Sequence, residues 1–448
     1  MYPLTKPLRF SMPVAVFCIF LTACGGTSSP SSADAGEKGA RPDNTATTST
    51  TISSTTILKK DKYKYPPAVT YSAKSAGVAP YPEYLQTVSD SSYATKITRV
   101  TNKAVNSQYG DHPYSVQGTP WNYDSTIFNL GNRLYVSSNN KETAITSGLS
   151  RDDAWYKLGE PAGGGASLVW SHTDSNIMYS VTDYGQINKV IMNASRTDVS
   201  TTKIMDISAK GYETTIGNAE GQISNDGKLL LIIGKKNGNH YAILYNFESE
   251  SVVFDKQITQ PAINDFDNMM VDATGEHIVA KINNLVHVYD MNLNYLYQMP
   301  TNNPEGNTEG FIGHSSMAVD VNGDPVVVSM THHKHTISMF NLRTKQRHEL
   351  LNDNHGGGHI STGNYRRQGW AYVSTEGWGD EGRDAFSIKL DPNTSVATVE
   401  YFAHTNNTNQ NNDYNFQTHV GVNPTGDVVL FRSKWGTGTG DTYLARAK

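Results

Sequence analysis

The chain has 448 residues, of which 18% are charged, and it carries a formal net charge of -5 at pH 7. No stretch interleaves basic and aromatic side chains as a nucleic-acid-binding surface does, which argues against nucleic acid as a partner. Both cysteines, Cys18 and Cys24, lie close to the N-terminus. The rest of the chain has neither a disulfide nor a thiolate, so any metal site there must use histidine, carboxylate or carbonyl ligands.

The N-terminus has the layout of a bacterial secretory signal. Lys6 and Arg9 precede a short apolar run, residues 10–21, which predicts a signal peptide over residues 1–23. The run ends in Leu21-Thr22-Ala23-Cys24, which resembles the lipobox of bacterial lipoproteins. The resemblance implies a lipid anchor on Cys24, and the glycine that follows favours the outer membrane over the inner one. A signal peptide cut near Ala23, with an incidental cysteine, is the alternative.

Two further segments precede the predicted domain. Residues 24–60 are mostly small and polar and cannot bury enough apolar surface to fold, so they predict a flexible tether. Residues 61–93 carry tyrosines among prolines, and we expect them to run over the surface of the domain. The folded domain is therefore predicted at residues 94–448, and we expect it to be a monomer.

A repeated unit dominates this domain. An apolar strand, a tight turn and a second apolar strand recur about every fifty residues, which is the period of a propeller blade. Seven such units begin at Trp121, Ser167, Gly221, Asn268, Ser316, Gly358 and Thr418. One small sheet cannot bury both of its faces, so successive sheets must pack against each other in a closed ring. The sequence predicts an all-β fold, a seven-bladed β-propeller.

The last unit is one strand short, because the chain ends soon after its third strand. The stretch from Lys96 to Thr101 alternates apolar and polar residues just before the first unit, as a half-buried strand does. We therefore predict that this N-terminal strand completes the last blade and closes the ring.

Titratable and aromatic side chains gather at the face where the inner strands begin. Histidines start or precede inner strands at His112, His314, His359 and His419, and loops between second and third strands carry Tyr184, His240, Tyr241, Trp378, Arg383 and Trp435. The last three histidines occupy matching positions in adjacent units, so we expect them to converge on a divalent metal (zinc, calcium or manganese) or on an anionic sugar. The alternative for each histidine is a hydrogen-bonding core residue. Trp378 and Trp435 are either loop anchors or platforms that stack on sugar rings.

One stretch carries a family resemblance. The run that begins His112-Pro-Tyr-Ser-Val-Gln-Gly-Thr-Pro-Trp, together with Gly313-His314 and Gly358-His359 in later units, resembles the seven-bladed polysaccharide lyases that degrade ulvan. The resemblance implies cleavage of an anionic polysaccharide by β-elimination at a uronic acid, with His112 as the base. That chemistry also needs a cation beside the uronate carboxylate and an acid for the departing oxygen.

The predicted roles divide into two sets. The catalytic residues are expected to be His112, Tyr184 and Tyr241, and the substrate-binding residues His240, Arg196, Trp378, Arg383 and Trp435. Two other functions remain open, a carbohydrate-binding propeller without catalysis and an assembly scaffold on the outer membrane. A scaffold would show a large exposed apolar patch.

Overall fold

The structure is a computed structural model that describes part of the chain. It describes residues 80–102, 119–130, 133–136, 166–182, 186–194, 199–212, 214–216, 223–263, 266–283, 285–300, 315–330, 336–352, 358–375, 384–407, 417–435 and 440–447. The predicted signal peptide, lipidation site and tether lie outside these residues, and so does most of the segment 61–93. No helix among the described residues is long and apolar enough to cross a membrane.

The described elements are strands apart from one short 3-10 helix at Ser208–Lys210. The first strands are β1 (Thr87–Asp90), β2 (Thr95–Arg99), β3 (Ile127–Leu130) and β4 (Arg133–Val136). Then come β5 (Ala166–Trp170), β6 (Ile177–Thr182), β7 (Gln186–Met192), β8 (Val199–Asp206), β9 (Thr214–Ile216), β10 (Leu229–Lys236), β11 (Asn239–Asn246) and β12 (Ser251–Gln257). The next are β13 (Phe266–Val271), β14 (His277–Ile282), β15 (Leu285–Asp290), β16 (Tyr295–Gln298), β17 (Ser315–Val319), β18 (Pro325–Met330), β19 (Thr336–Asn341) and β20 (Arg347–Asn352). The last are β21 (Gly358–Ser361), β22 (Trp370–Thr375), β23 (Asp384–Lys389), β24 (Val399–His404), β25 (Gly421–Val422), β26 (Val428–Ser433) and β27 (Asp441–Arg446).

These strands form small antiparallel sheets, which we call blades and name by their strands. Five four-stranded blades follow one another, β5–β8, β9–β12, β13–β16, β17–β20 and β21–β24, and a five-stranded closing blade has the order β1-β2-β27-β26-β25. Apolar side chains from adjacent blades interleave to make the core. Val328 of β18, for example, packs with Val373 of β22 and Phe386 of β23. The fold is an all-β β-propeller, as predicted.

The prediction of seven blades is corrected by the structure, because the described residues form six blades. At the position of the first predicted unit stands the two-stranded β3–β4 hairpin. Ile127 packs with Trp170 of β5, and Phe128 packs with Leu430 of β26, so the hairpin lies between the β5–β8 blade and the closing blade. The repeat pattern consists of two strands and their turn, and a hairpin satisfies that pattern without the further strands that make a blade.

The closing strand confirms the sequence prediction. β2 pairs antiparallel with β27, with Lys96 opposite Arg446 and Arg99 opposite Tyr443. A buried ion pair of 2.8 Å joins Arg99 to Asp441 across this pairing. β1 then adds a fifth strand outside β2. The two ends of the chain's described part are thus joined in one sheet, which removes an open edge from the ring.

The turn after each inner strand is built by one recurring device, in which a polar side chain caps the turn. Asp272 Oδ1 accepts hydrogen bonds from the backbone N–H groups of Thr274 (2.7 Å) and Gly275 (2.8 Å). Gly275 has φ +76°, a conformation that glycine adopts without strain. Asn122, before the β3–β4 hairpin, accepts from Thr126 and Ile127 in the same way, each at 2.9 Å. Such capped turns explain the Asp, Asn and Ser residues at this point of the repeat.

Candidate functional site

The candidate site lies where inner strands begin, at the end of the channel that we call the mouth. His359 is the second residue of β21, and His419 lies two residues before β25 in the adjacent closing blade. Gly358 allows β21 to start close to its neighbour, because a Cβ there would overlap the carbonyl oxygen of Ser374 in β22. The repeat therefore brings two histidines to the same level of adjacent blades.

The two imidazoles are in contact and buried. Their ring centroids are 4.0 Å apart with an interplanar angle of 36°. His359 is 0% exposed and His419 1%. His359 Nε2 lies 3.0 Å from Oε1 of Gln417, to which an Nε2–H donates. We call His359, His419 and Gln417 the histidine pair and its glutamine.

The segment that carries Gln417 and His419 is held by side chains of both blades. Ser374 Oγ donates to the carbonyl oxygen of Thr418. Asn407 Nδ2 donates to Thr418 Oγ1 at 2.8 Å. Because Thr418 lies between Gln417 and His419, these bonds fix the backbone from which both functional side chains project. Preorganisation of this kind is typical of ligand-binding and catalytic groups.

The histidine pair and its glutamine supply two imidazoles and one amide oxygen. In the structure His359 Nε2 and Gln417 Oε1 are 3.0 Å apart, which is the length of their hydrogen bond. Two imidazoles and one amide oxygen suit zinc or manganese better than calcium, which takes oxygen ligands. Within the described part of the chain, no group of three or more His, Cys, Asp or Glu side chains is arranged to hold a metal ion.

The opposite end of the channel, which we call the floor, is bridged by side chains. Tyr365, from the turn between β21 and β22, stacks on His172 of the β5–β8 blade with ring centroids 3.8 Å apart. Its neighbour Arg366 lies over the ring of Tyr123 at 4.8 Å. Burial lowers the pKa of His172 to about 4, so this imidazole is neutral at pH 7. The floor is thus packed, and the paired imidazoles lie at the mouth.

The structure brings together two of the predicted metal ligands, His359 and His419. The other predicted site residues divide into those it describes and those it does not. His112, Tyr184, Arg196, His314, Trp378 and Arg383 lie outside the described residues, and their roles stay predictions. Trp435 is described, is 8% exposed and packs on Tyr443 at 4.8 Å, the arrangement expected of a loop anchor.

His240 and Tyr241 lie in the β9–β12 blade, separated from the β21–β24 blade by two blades of the ring. His240 stacks on Phe266 with centroids 5.1 Å apart, and burial together with the charge of Lys235 lowers the pKa of His240. Sequence reasoning missed Gln417. The His419 N–H donates to the Gln417 carbonyl oxygen at 3.1 Å, so the two residues form one tight turn, and the strand pattern of the repeat gave no signal for Gln417.

The protein is similar in fold to solved lyase structures. One is the crystal structure of oligogalacturonate lyase from Vibrio parahaemolyticus, at 14% identity and a TM-score of 0.53, covering 83% of this chain and 98% of that one. Another is an oligogalacturonate lyase in complex with manganese, at 13% identity, a TM-score of 0.53 and the same coverage of 83% and 98%. No protein-family model matches the chain, and no curated protein is significantly similar to it. At these identities the likeness shows a shared β-propeller fold.

Proposed function

We propose that this protein is a lyase that cleaves saccharides containing uronic acid by β-elimination. The observation that carries the proposal is the histidine pair with its glutamine, which places two buried imidazoles and an amide oxygen at the mouth of the channel. The β-propeller shared with oligogalacturonate lyase supports it.

The reaction makes clear demands on the protein. A base takes the proton from the carbon that bears the uronate carboxylate, and the released electron pair forms a carbon–carbon double bond. The bond to the glycosidic oxygen breaks, and that oxygen leaves with a proton from an acid. Negative charge develops on the carboxylate during proton removal, so a cation beside it lowers the barrier. We propose His112, Tyr184 and Tyr241 for the proton transfers, and Arg196 and Arg383 for contacts with the carboxylate.

A divalent metal is part of the proposal. The oligogalacturonate lyase that is similar in fold was solved in complex with manganese. Here His359, His419 and Gln417 are the residues that would hold the ion, with His314 as the proposed third imidazole. The ion would supply positive charge at the uronate carboxylate.

The substrate is an anionic polysaccharide or its fragments. Ulvan is proposed from the resemblance of the His112 segment, and galacturonate oligosaccharides from the name of the similar lyase. The test is to incubate the purified full-length protein with ulvan, alginate, pectate, oligogalacturonates and glycosaminoglycans, and to follow the ultraviolet absorbance of the unsaturated product. Absence of this product from every substrate would leave a carbohydrate-binding propeller as the function.

Variants of the histidine pair connect the activity to the site. We expect His359→Ala and His419→Ala each to lower turnover by about a hundredfold or more and to lower the bound metal measured by mass spectrometry. The matched control is His287→Ala, which removes another buried histidine, 2% exposed, from β15 of a different blade. Full turnover in either variant of the pair would remove the pair from the mechanism.

The predicted lipid anchor is likewise a proposal. If Cys24 is lipidated, the protein fractionates with outer membranes, and Cys24→Ala releases it. Membrane association that is unchanged in the variant would contradict the anchor.

A further inference from the structure

A second cluster of functional side chains lies at the mouth, in the β9–β12 blade. Tyr212 lies two residues before the inner strand β9, just as His419 lies two residues before β25. Beside Tyr212, β10 ends and β11 begins in a tight hairpin, with Lys235 opposite His240 and Lys236 opposite Asn239. We call Lys210, Tyr212 and Lys236 the lysine–tyrosine patch.

The patch is held rigidly by the local backbone. The hairpin turn consists of Asn237 and Gly238, which both have positive φ, 51° and 75°. Two such residues form the turn that matches the twist of paired strands. Lys236 therefore projects from the tip of a stiff hairpin, not from a loose loop.

An aromatic surface lies beside the lysines. The ring of Tyr212 rests on Gly234 in the middle of β10, where a Cβ would come within 2.6 Å of Tyr212 Cδ1. Glycine weakens a strand interior, so its presence here is explained by the ring that it admits. Tyr241 meets the same ring edge-on, with centroids 5.4 Å apart. Both rings are half-buried, which leaves part of each exposed.

The charges around the rings are predominantly positive. Lys236 Nζ lies 5.7 Å from the centre of the Tyr212 ring and donates to the carbonyl oxygen of Lys210 at 2.7 Å. Among the described residues, Asp255 is the acidic residue that contacts the patch. It accepts from the Tyr212 hydroxyl and lies 3.5 Å from Lys210 Nζ. Lys235 is exposed but lies outside the patch, because it is adjacent to Lys236 in β10 and so projects from the opposite face of the sheet.

We propose that the lysine–tyrosine patch is a binding subsite for an acidic sugar residue of the substrate. A tyrosine face stacks on the apolar face of a sugar ring, and lysines at its rim attract a carboxylate or sulfate group. The proposal rests on the proposed function for the identity of the ligand as a uronate chain. Because the patch and the histidine pair are on different blades at the same mouth, the substrate chain would extend from one to the other.

Direct binding tests the patch without requiring catalysis. His359→Ala serves as the background, and the probes are a galacturonate hexasaccharide and disaccharide, with ulvan fragments of matched length as a second series. In this background we expect Lys236→Gln to weaken hexasaccharide binding by about fivefold, with less effect at high salt. The control is Lys228→Gln, which removes a lysine from the floor side of the same blade, where it pairs with Glu248 at 2.9 Å.

Substitutions of Tyr212 distinguish the contribution of stacking to affinity from that of charge. Tyr212→Phe keeps the ring and should keep most of the affinity, whereas Tyr212→Ala should lose about tenfold. Equal affinity in Lys236→Gln and its control, or equal affinity of Tyr212→Ala and wild type, would overturn the subsite. The two proposals fail separately. If the wild-type protein cleaves a substrate but the lysine substitution does not weaken binding, only the subsite is overturned. If the lysine substitution weakens binding but the wild-type protein cleaves no substrate, only the proposed lyase activity is overturned.

Discussion

At the floor of the channel the blades repeat one another, whereas at the mouth each blade carries different side chains. The floor turns share a polar cap, illustrated by Asp272 in one blade and Asn122 before the hairpin. The mouth carries buried imidazoles in two blades and a lysine–tyrosine patch in another. The floor thus supports the fold, and the proposed ligand sites lie at the mouth. The difference between the two ends predicts that substitutions there have different consequences.

The largest effect is expected from loss of β1 and β2, the strands that complete the closing blade and so support both ends of the channel. Deletion through Thr101 removes β1 and β2, and with them the buried Ile97 and the ion pair from Arg99 to Asp441. The closing blade then exposes the edge of β27, so the cooperative thermal transition should be lost. The control is deletion through residue 79, which keeps both strands and should unfold as the full chain does. A cooperative transition of equal midpoint in the longer deletion would contradict closure by β2.

Gly358→Ala should disturb the mouth in both stability and function. The new methyl group meets the Ser374 carbonyl oxygen, so β21 must shift and carry His359 with it. We expect a loss of roughly 1–3 kcal/mol in the free energy of unfolding and a fall in turnover. Chemical denaturation and product absorbance measure the two. Ser315→Ala, at the start of the neighbouring strand β17, adds no atoms and should change neither.

Asp272→Ala tests the floor. It removes the acceptor of three backbone N–H groups, those of Thr274, Gly275 and Glu276, and also the 2.7 Å contact with His277 Nδ1. The free energy of unfolding should fall by about 1–3 kcal/mol, while turnover per folded molecule stays unchanged. Asp272→Asn keeps the acceptor of the turn and should recover most of the loss. A fall in turnover of the folded Ala variant would show that floor and mouth are coupled.

The smallest effect is a pH dependence of stability, which arises where the β21–β24 blade contacts the closing blade. His404 of β24 lies 3.1 Å from Asp90 Oδ2, and Tyr93 stacks on its ring while donating to Asp384 at 3.0 Å. Burial opposes the charge on His404, but the hydrogen bond with Asp90 and the charges of Asp384 and Asp90 raise its pKa above the ordinary value. Burial likewise opposes the charge on Asp90, and the bonds and charge from His404 lower its pKa overall.

The signs of the two shifts define where stability is lost. The contribution of His404 is complete below about pH 6.5, its ordinary pKa, and disappears as the pH rises through the raised value. The contribution of Asp90 is complete above about pH 4 and disappears as the pH falls through the lowered value. Urea unfolding across this range should show both losses. His404→Gln should flatten the alkaline one, and an unchanged profile would contradict the role of His404.

Much of the fold could be predicted from the sequence because its signals are local. Alternating strands and Asp-Gly or Asn-Gly turns specify each hairpin over a dozen residues, and they led correctly to a β-propeller and to β2 as the closing strand. The same local signal predicted one blade more than the described residues form. It cannot distinguish a hairpin such as β3–β4 from a full blade, since third and fourth strands are not part of the pattern.

By itself the sequence determined that small sheets must close into a ring, because strands of this period cannot bury their faces alone. It also determined that His359 and His419 occupy matching positions. Only the tertiary structure decided what these positions mean. It placed the two rings in contact beside Gln417, buried Trp435 against Tyr443, and brought Tyr212 onto Gly234 beside Lys236. Such contacts join residues of different strands and blades, and their distances depend on packing that no local pattern records.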